Sequence, residues 1–205
     1  MTRANKRPID VSKIAIRFPN AGEYSDDDPR FLKELQLLRE ELSEPNKIKI
    51  SCIHEVGHLS YFRWLGIDLN IPPDKFRFVG PSVTYGLNKK HECEFDHFVA
   101  ATEVPFQEDD LDYNDERLLM LAKACFAGGV FVHKLANGSL RGDKDDRKKF
   151  HSYYNSAIKQ LGQMDVLESQ LKKRAIRAVT DDLKTAAIRK QALASAGQLA
   201  AEHFS

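Results

Sequence analysis

The chain has 205 residues, 42% of them hydrophobic, which is enough to fill one well-cored domain and too many for a disordered segment. Its 31 basic and 30 acidic residues leave a net charge of +1, so no electrostatic footprint for nucleic acid or for an acidic membrane surface exists. Cys52, Cys93 and Cys125 stand at irregular spacing with no CxxC pair and no signal-like N-terminus. A reducing cytoplasm is therefore the expected home. The charge-free run at 124–132 falls far short of the roughly 20 apolar residues that span a bilayer, and no membrane association is expected.

Residues 1–30 form an arm with one β-like run at 14–18, and residues 31–205 are expected to make a single domain. Leucines at 32, 35, 37, 38 and 42 predict an amphipathic helix from Pro29 that ends before Pro45. A second helix is predicted from about Lys47. After Gly66 two β-rich runs, 76–79 and 82–85, are joined at Gly80–Pro81 and read as a small hairpin. Residues 88–116 lack a sustained period and read mostly as loop. A strong buried helix follows at 116–138, with small residues Ala124, Ala127, Gly128 and Gly129 that admit a close neighbour and with Asn137 and Gly138 as its stop. The segment 141–161 predicts another helix with Phe150, Tyr154, Ala157 and Leu161 on one face, and 166–203 one or two Ala-rich helices. The fold class is mainly α, with a small β-ribbon after the second helix.

That second helix carries "HEVGH", residues 54–58. On a helix, side chains four apart project from the same face, so His54 and His58 reach one ion together. Glu55 stands one step round. In zinc peptidases with this HExxH spacing the glutamate is the general base for a water that the ion has made acidic. With 7 histidines in the chain, a chance HExxH match is expected in about one such sequence in seventy. Gly57, a poor helix former, also implies close packing at that point.

"HEVGH", then "FRFVGPSVTYGL", then "LAKACFAGGVFVHKLANG", then "RGDKDDRKK" resemble, in order and spacing, the protease domain of FtsH-type zinc metallopeptidases over about residues 47–160. The resemblance implies a helical zincin-like domain that hydrolyses peptides or unfolded proteins with Zn²⁺. It also implies that the third zinc ligand is an aspartate, matched here by Asp146 through its distance from Gly142. Asp145, His133, Asp143 and His151 are the alternatives. The family's "GGRxAEE" is "GGVFVHK" in this chain, with Val130, His133 and Lys134 at the altered positions. No GxxxxGK[ST] phosphate loop occurs, so ATP-driven unfolding is expected from a separate ATPase or adaptor, if at all.

Several features have plainer readings. "HECEFDH", 91–97, offers a second set of metal-ligating side chains, but its spacing fits no closed tetrahedral site and reads as a solvated acidic loop. Cys52 and Cys125 read as buried apolar residues, Cys125 packing behind the site, while Phe62 and Trp64 read as core or site wall. His151 reads as a surface histidine. An edge near residues 83–86 is expected to hold extended substrate as an added strand. The alternative function is a non-catalytic, zinc-dependent peptide-binding module on the same fold; a helical adaptor without metal is a third. The sequence specifies neither the substrate nor the oligomeric state.

Overall fold

The computed structural model describes residues 15–17, 27–87, 93–138, 144–164 and 166–204. Among these residues six α-helices dominate: α1 (Pro29–Leu42), α2 (Pro45–Asp68), α3 (Asp115–Ala136), α4 (Lys144–Leu161), α5 (Glu168–Asp182) and α6 (Ala186–Phe204). Five short strands accompany them among the described residues: β1 (Ala15–Arg17), β2 (Arg77–Val79), β3 (Ser82–Leu87), β4 (Cys93–Phe98) and β5 (Ala101–Glu103). The mainly α class with a small β element is the one expected.

Local chemistry sets the helix ends. The Asp28 side chain accepts from the Arg30 amide at 2.8 Å and Pro29 occupies the first turn, which starts α1. Pro45 likewise opens α2, two residues earlier than expected, because a proline at the first helical position gives up no hydrogen bond. At the other end of α2, Asn70 takes the left-handed conformation (φ 55°) and the Ile71 amide donates back to the Gly66 carbonyl at 2.8 Å, a Schellman closure. Asn114 caps α3 by accepting from the Arg117 amide at 2.8 Å, and Asn137 (φ 53°) stops it where the sequence placed the stop.

The central helix is α3. Its residues from Ala124 to Val132 are all buried, and it packs against α2, α4 and α5. It is long and apolar enough to cross a membrane, yet most of it is buried inside the fold, which accounts for its apolar character. The principal core gathers Phe62 and Leu65 of α2, Phe150 and Tyr153 of α4, and Leu171 and Val179 of α5 around Leu118, Leu121 and Phe131 of α3. A smaller core, Phe31, Leu38, Leu42, Val83 and Val99, binds α1 to the ribbon. Leu161 is exposed, so the buried face of α4 is instead Phe150, Tyr153, Tyr154 and Ala157. Trp64 is 53% exposed and lines a pocket with Tyr61, Asp182 and Ile188, separate from the cleft that His54 and Glu55 line. It belongs neither to the core nor to the site wall.

The β element departs most from expectation. Residues 76–79 and 82–85 do not pair with each other. β2 pairs antiparallel with β5 (Phe78↔Thr102), and β3 pairs antiparallel with β4 (Ser82↔Phe98 to Leu87↔Cys93), in one common register. The ribbon is a single long hairpin, 77–87 against 93–103, interrupted where Gly80–Pro81 faces Val99–Ala100. Pro81 cannot adopt the positive φ that the second position of a type I′ turn demands, and the chain runs straight on past it. About a third of the segment expected as loop, residues 93–98 and 101–103, is thus strand. β1 adds to β3 in parallel, which makes β3 the central strand of β1–β3–β4. Of the expected open edge at 83–86, Val83 and Thr84 are therefore taken on both sides, and 85 and 86 pair with β4.

Candidate metal centre

His54, Glu55 and His58 lie on the middle turns of α2, where the helix crosses α3. The crossing is close because of two glycines. A Cβ on Gly57 would stand 2.8 Å from the backbone carbonyl of Ala127, and one on Gly128 would stand 2.4 Å from His58 Nε2 and 2.8 Å from the His54 ring. Gly57 lets the helix backbones meet. Gly128 leaves room for the two imidazoles.

His58 is buried, and its Nδ1–H donates to the Ala124 carbonyl at 2.7 Å. A carbonyl only accepts, so this contact fixes the proton on Nδ1 and turns Nε2 toward His54. The two Nε2 atoms are 2.9 Å apart. From the first turn of α4, Asp146 closes the triangle, with Oδ1 3.3 Å from His58 Nε2 and Oδ2 3.4 Å from His54 Nε2. Tetrahedral ligands at zinc distances of about 2.0–2.1 Å stand about 3.3 Å from one another, so this spacing fits one ion at the centre. A further observation agrees with that fit. Asp146 Oδ2 is buried and accepts no hydrogen bond, among the described residues the one such side-chain atom.

The electrostatics of the triangle favour positive charge. Burial opposes charge on His58, but the hydrogen bond and charge of Asp146, the charge of Glu55 and the Ala124 carbonyl prevail and raise its pKa to about 9. Burial would raise the Asp146 carboxyl, yet the two imidazoles hold it far below the usual carboxylate range. The cluster thus binds a proton at neutral pH when nothing stronger competes, and a divalent cation is such a competitor.

Glu55 is 8% exposed and stands beside this triangle, outside it. Its Oε1 is 4.0 Å from His54 Nε2, while its Oε2 accepts from the Thr102 hydroxyl at 2.8 Å. The cleft over the site has a volume of about 520 Å³. Its walls include Ile50, His54, Glu55 and Val132, with Phe98, Val99 and Ala100 from the ribbon. The ribbon does border the site, then, through the 97–100 arm and not through 83–86.

The structure brings together the four residues singled out from the sequence, Asp146 with His54 and His58 and Glu55 next to them. The alternatives lie elsewhere. Asp145 is exposed and pairs with Lys148 at 2.6 Å. His133 interacts with the Gly138 carbonyl at 3.0 Å, and His151 is an exposed residue bonded to Glu168 at 3.0 Å. Asp143 and Gly142 fall outside the described residues, as do His91 and Glu92 of the acidic cluster. The rest of that cluster is no loop. It forms β4, and His97 bridges two carboxylates of α1, Glu34 at 2.7 Å and Glu41 at 3.5 Å. Glu34, Asp96 and His97 also come close enough to hold an ion, but His97 is already committed to two carboxylates. Cys52 and Cys125 are buried as expected, and burial, followed by the charge of Glu55, pushes the Cys52 thiol up to about 11.

Two contributors escaped the sequence reading. The Ala124 carbonyl is a backbone group and leaves no sequence signal. Thr102 lies in "VAATEV", whose short β-like character was the available hint.

Compared with known proteins, the chain matches no family model, no curated protein and no solved structure.

Proposed function

We propose that this chain is a zinc-dependent metallopeptidase acting on peptides and unfolded protein segments. The observation that carries the reading is the division of labour at the site. Three donor groups converge on one point, leaving an orphaned buried carboxylate oxygen, and a fourth group, Glu55, is held beside them with one oxygen turned to the same point. A structural metal site needs ligands and has no use for a restrained base at its flank.

A bound zinc ion would act as a Lewis acid toward the scissile carbonyl and make water acidic enough to lose a proton near neutral pH. His54, His58 and Asp146 hold that ion, His58 being oriented by Ala124. Glu55 accepts the proton at Oε1 and delivers it to the leaving amine. The 97–100 arm forms the wall along which an extended backbone docks, in the manner of an added strand. A cleft of this size admits a flexible segment and excludes an intact domain, so folded substrates would need a separate ATPase or adaptor to unfold them.

The test combines metal analysis with turnover of an unfolded, fluorescently labelled protein. About one zinc per chain is expected, with hydrolysis abolished by chelator and by Glu55→Gln, while Glu55→Gln retains its zinc. Turnover in Glu55→Gln would remove the mechanism. Zinc binding and peptide binding without hydrolysis in the wild type would establish the non-catalytic binding module instead.

A further inference from the structure

The sequence assigned Glu55 a role but nothing that aims it. A glutamate has three rotatable bonds, and a general base must keep one oxygen within hydrogen-bond reach of the proton it removes. We propose that Thr102 is a positioning residue for Glu55, tying the base to the ribbon arm that walls the cleft. The inference rests on the peptidase reading of the site.

Geometry decides where the Thr102 proton goes. The hydroxyl lies 2.8 Å from Glu55 Oε2 and 3.4 Å from the Glu55 carbonyl oxygen. It has one proton to give, and the carboxylate is both the nearer and the stronger acceptor. Oε2 is thereby engaged, and Oε1 is the oxygen left toward His54, 4.0 Å away. The tether is itself anchored. Thr102 is the register partner of Phe78, whose ring packs on His203 and Phe204 of α6 at centroid distances of 4.7 and 6.5 Å. Thr102 also follows residues 98–100, the cleft wall, by two positions on the same arm. The base and the surface that receives substrate are consequently one mechanical unit, and a shift of that arm moves Oε2 with it.

Thr102→Val keeps the shape and removes the donor, while Thr102→Ser keeps the donor. With zinc-loaded protein, Thr102→Val should lower kcat about tenfold and leave KM and zinc content unchanged, since aim matters in the transition state and not in docking. Thr102→Ser should recover kcat to within about threefold of wild type. A readout independent of turnover is a double-mutant cycle on urea unfolding of the chelated protein: Thr102→Val should cost less stability in a Glu55→Ala background than in the wild type. Should valine prevent folding, Thr102→Ala replaces it in both measurements. Wild-type kcat in Thr102→Val, a serine variant as slow as the valine one, or equal destabilisation in both backgrounds would each overturn the proposal. If the wild type hydrolyses nothing, the peptidase reading fails, and the unfolding cycle alone decides whether Thr102 holds Glu55.

Discussion

Adding one methyl group at Gly128 tests the metal centre without touching a ligand. In Gly128→Ala the new Cβ would lie 2.4 Å from His58 Nε2, against an ordinary contact distance of at least 3.4 Å, so the imidazole must retreat by about 1 Å. Metal–ligand distances tolerate about ±0.2 Å. The His54 ring, met at 2.8 Å, must move as well. Both changes fall on the ligating ends of the side chains, and the loss in zinc affinity should exceed the roughly 10–100-fold that follows disturbance of an outer-shell partner. The fold should survive, because the methyl meets ring ends that can swing aside, and alanine in a helix is favoured over glycine by up to about 1 kcal/mol. Gly57→Ala is the control of opposite sign. Its Cβ meets the backbone of α3 at 2.8 Å, so the two helices must separate, at a cost of about 1–3 kcal/mol. Competition titration against a chromophoric zinc chelator, paired with urea unfolding of the chelated proteins, measures both quantities. Zinc binding by Gly128→Ala at wild-type affinity would refute the assignment of the metal to His54 and His58.

Two further predictions address the third ligand and the pH dependence. Asp146→Asn should weaken zinc binding more than 100-fold, roughly the upper limit for outer-shell changes. Asp145→Asn should leave it unchanged, since Asp145 faces solvent beside Lys148; isothermal titration of both variants separates them, and the reverse pattern would exchange their roles. In chelated protein, His58 has a pKa raised from 6.5 to about 9, so its stabilising contribution is complete below pH 6.5 and is lost as pH rises through 9. The lowered carboxyl of Asp146 contributes above its ordinary value of 3.8 and loses that contribution as pH falls into the acid range. Thermal melts of chelated protein should therefore decline from pH 6.5 to 9. Zinc affinity over the same window should rise by up to about tenfold per pH unit as the competing proton leaves. A chelated protein that becomes more stable toward pH 9 would contradict the electrostatics of the triangle.

What the sequence determined by itself was local. The i, i+4 spacing of His54 and His58 needs only a helix of 3.6 residues per turn, and Glu55 follows from its neighbours. Asn137 as a helix stop, Gly57 as a point of close approach and the apolar character of α3 were legible for the same reason: each depends on backbone chemistry within a turn or two. Residue 146 was reached by resemblance alone, through Gly142, and its meeting with the histidines is made by the packing of α3 on α2 and α4. Strand pairing was the least legible. Runs 76–79 and 82–85 advertise β structure, but Pro81 excludes the type I′ turn between them, and the partners that the two strands take instead come later in the chain, at 93–103. Pairing is a choice among distant segments, and alternation along one strand states only which face is apolar. The exposure of Trp64, the central place of β3 and the bond from Thr102 to Glu55 all depend on which surfaces the fold lays against one another. No window of sequence contains both sides of those contacts, so tertiary packing alone decided them.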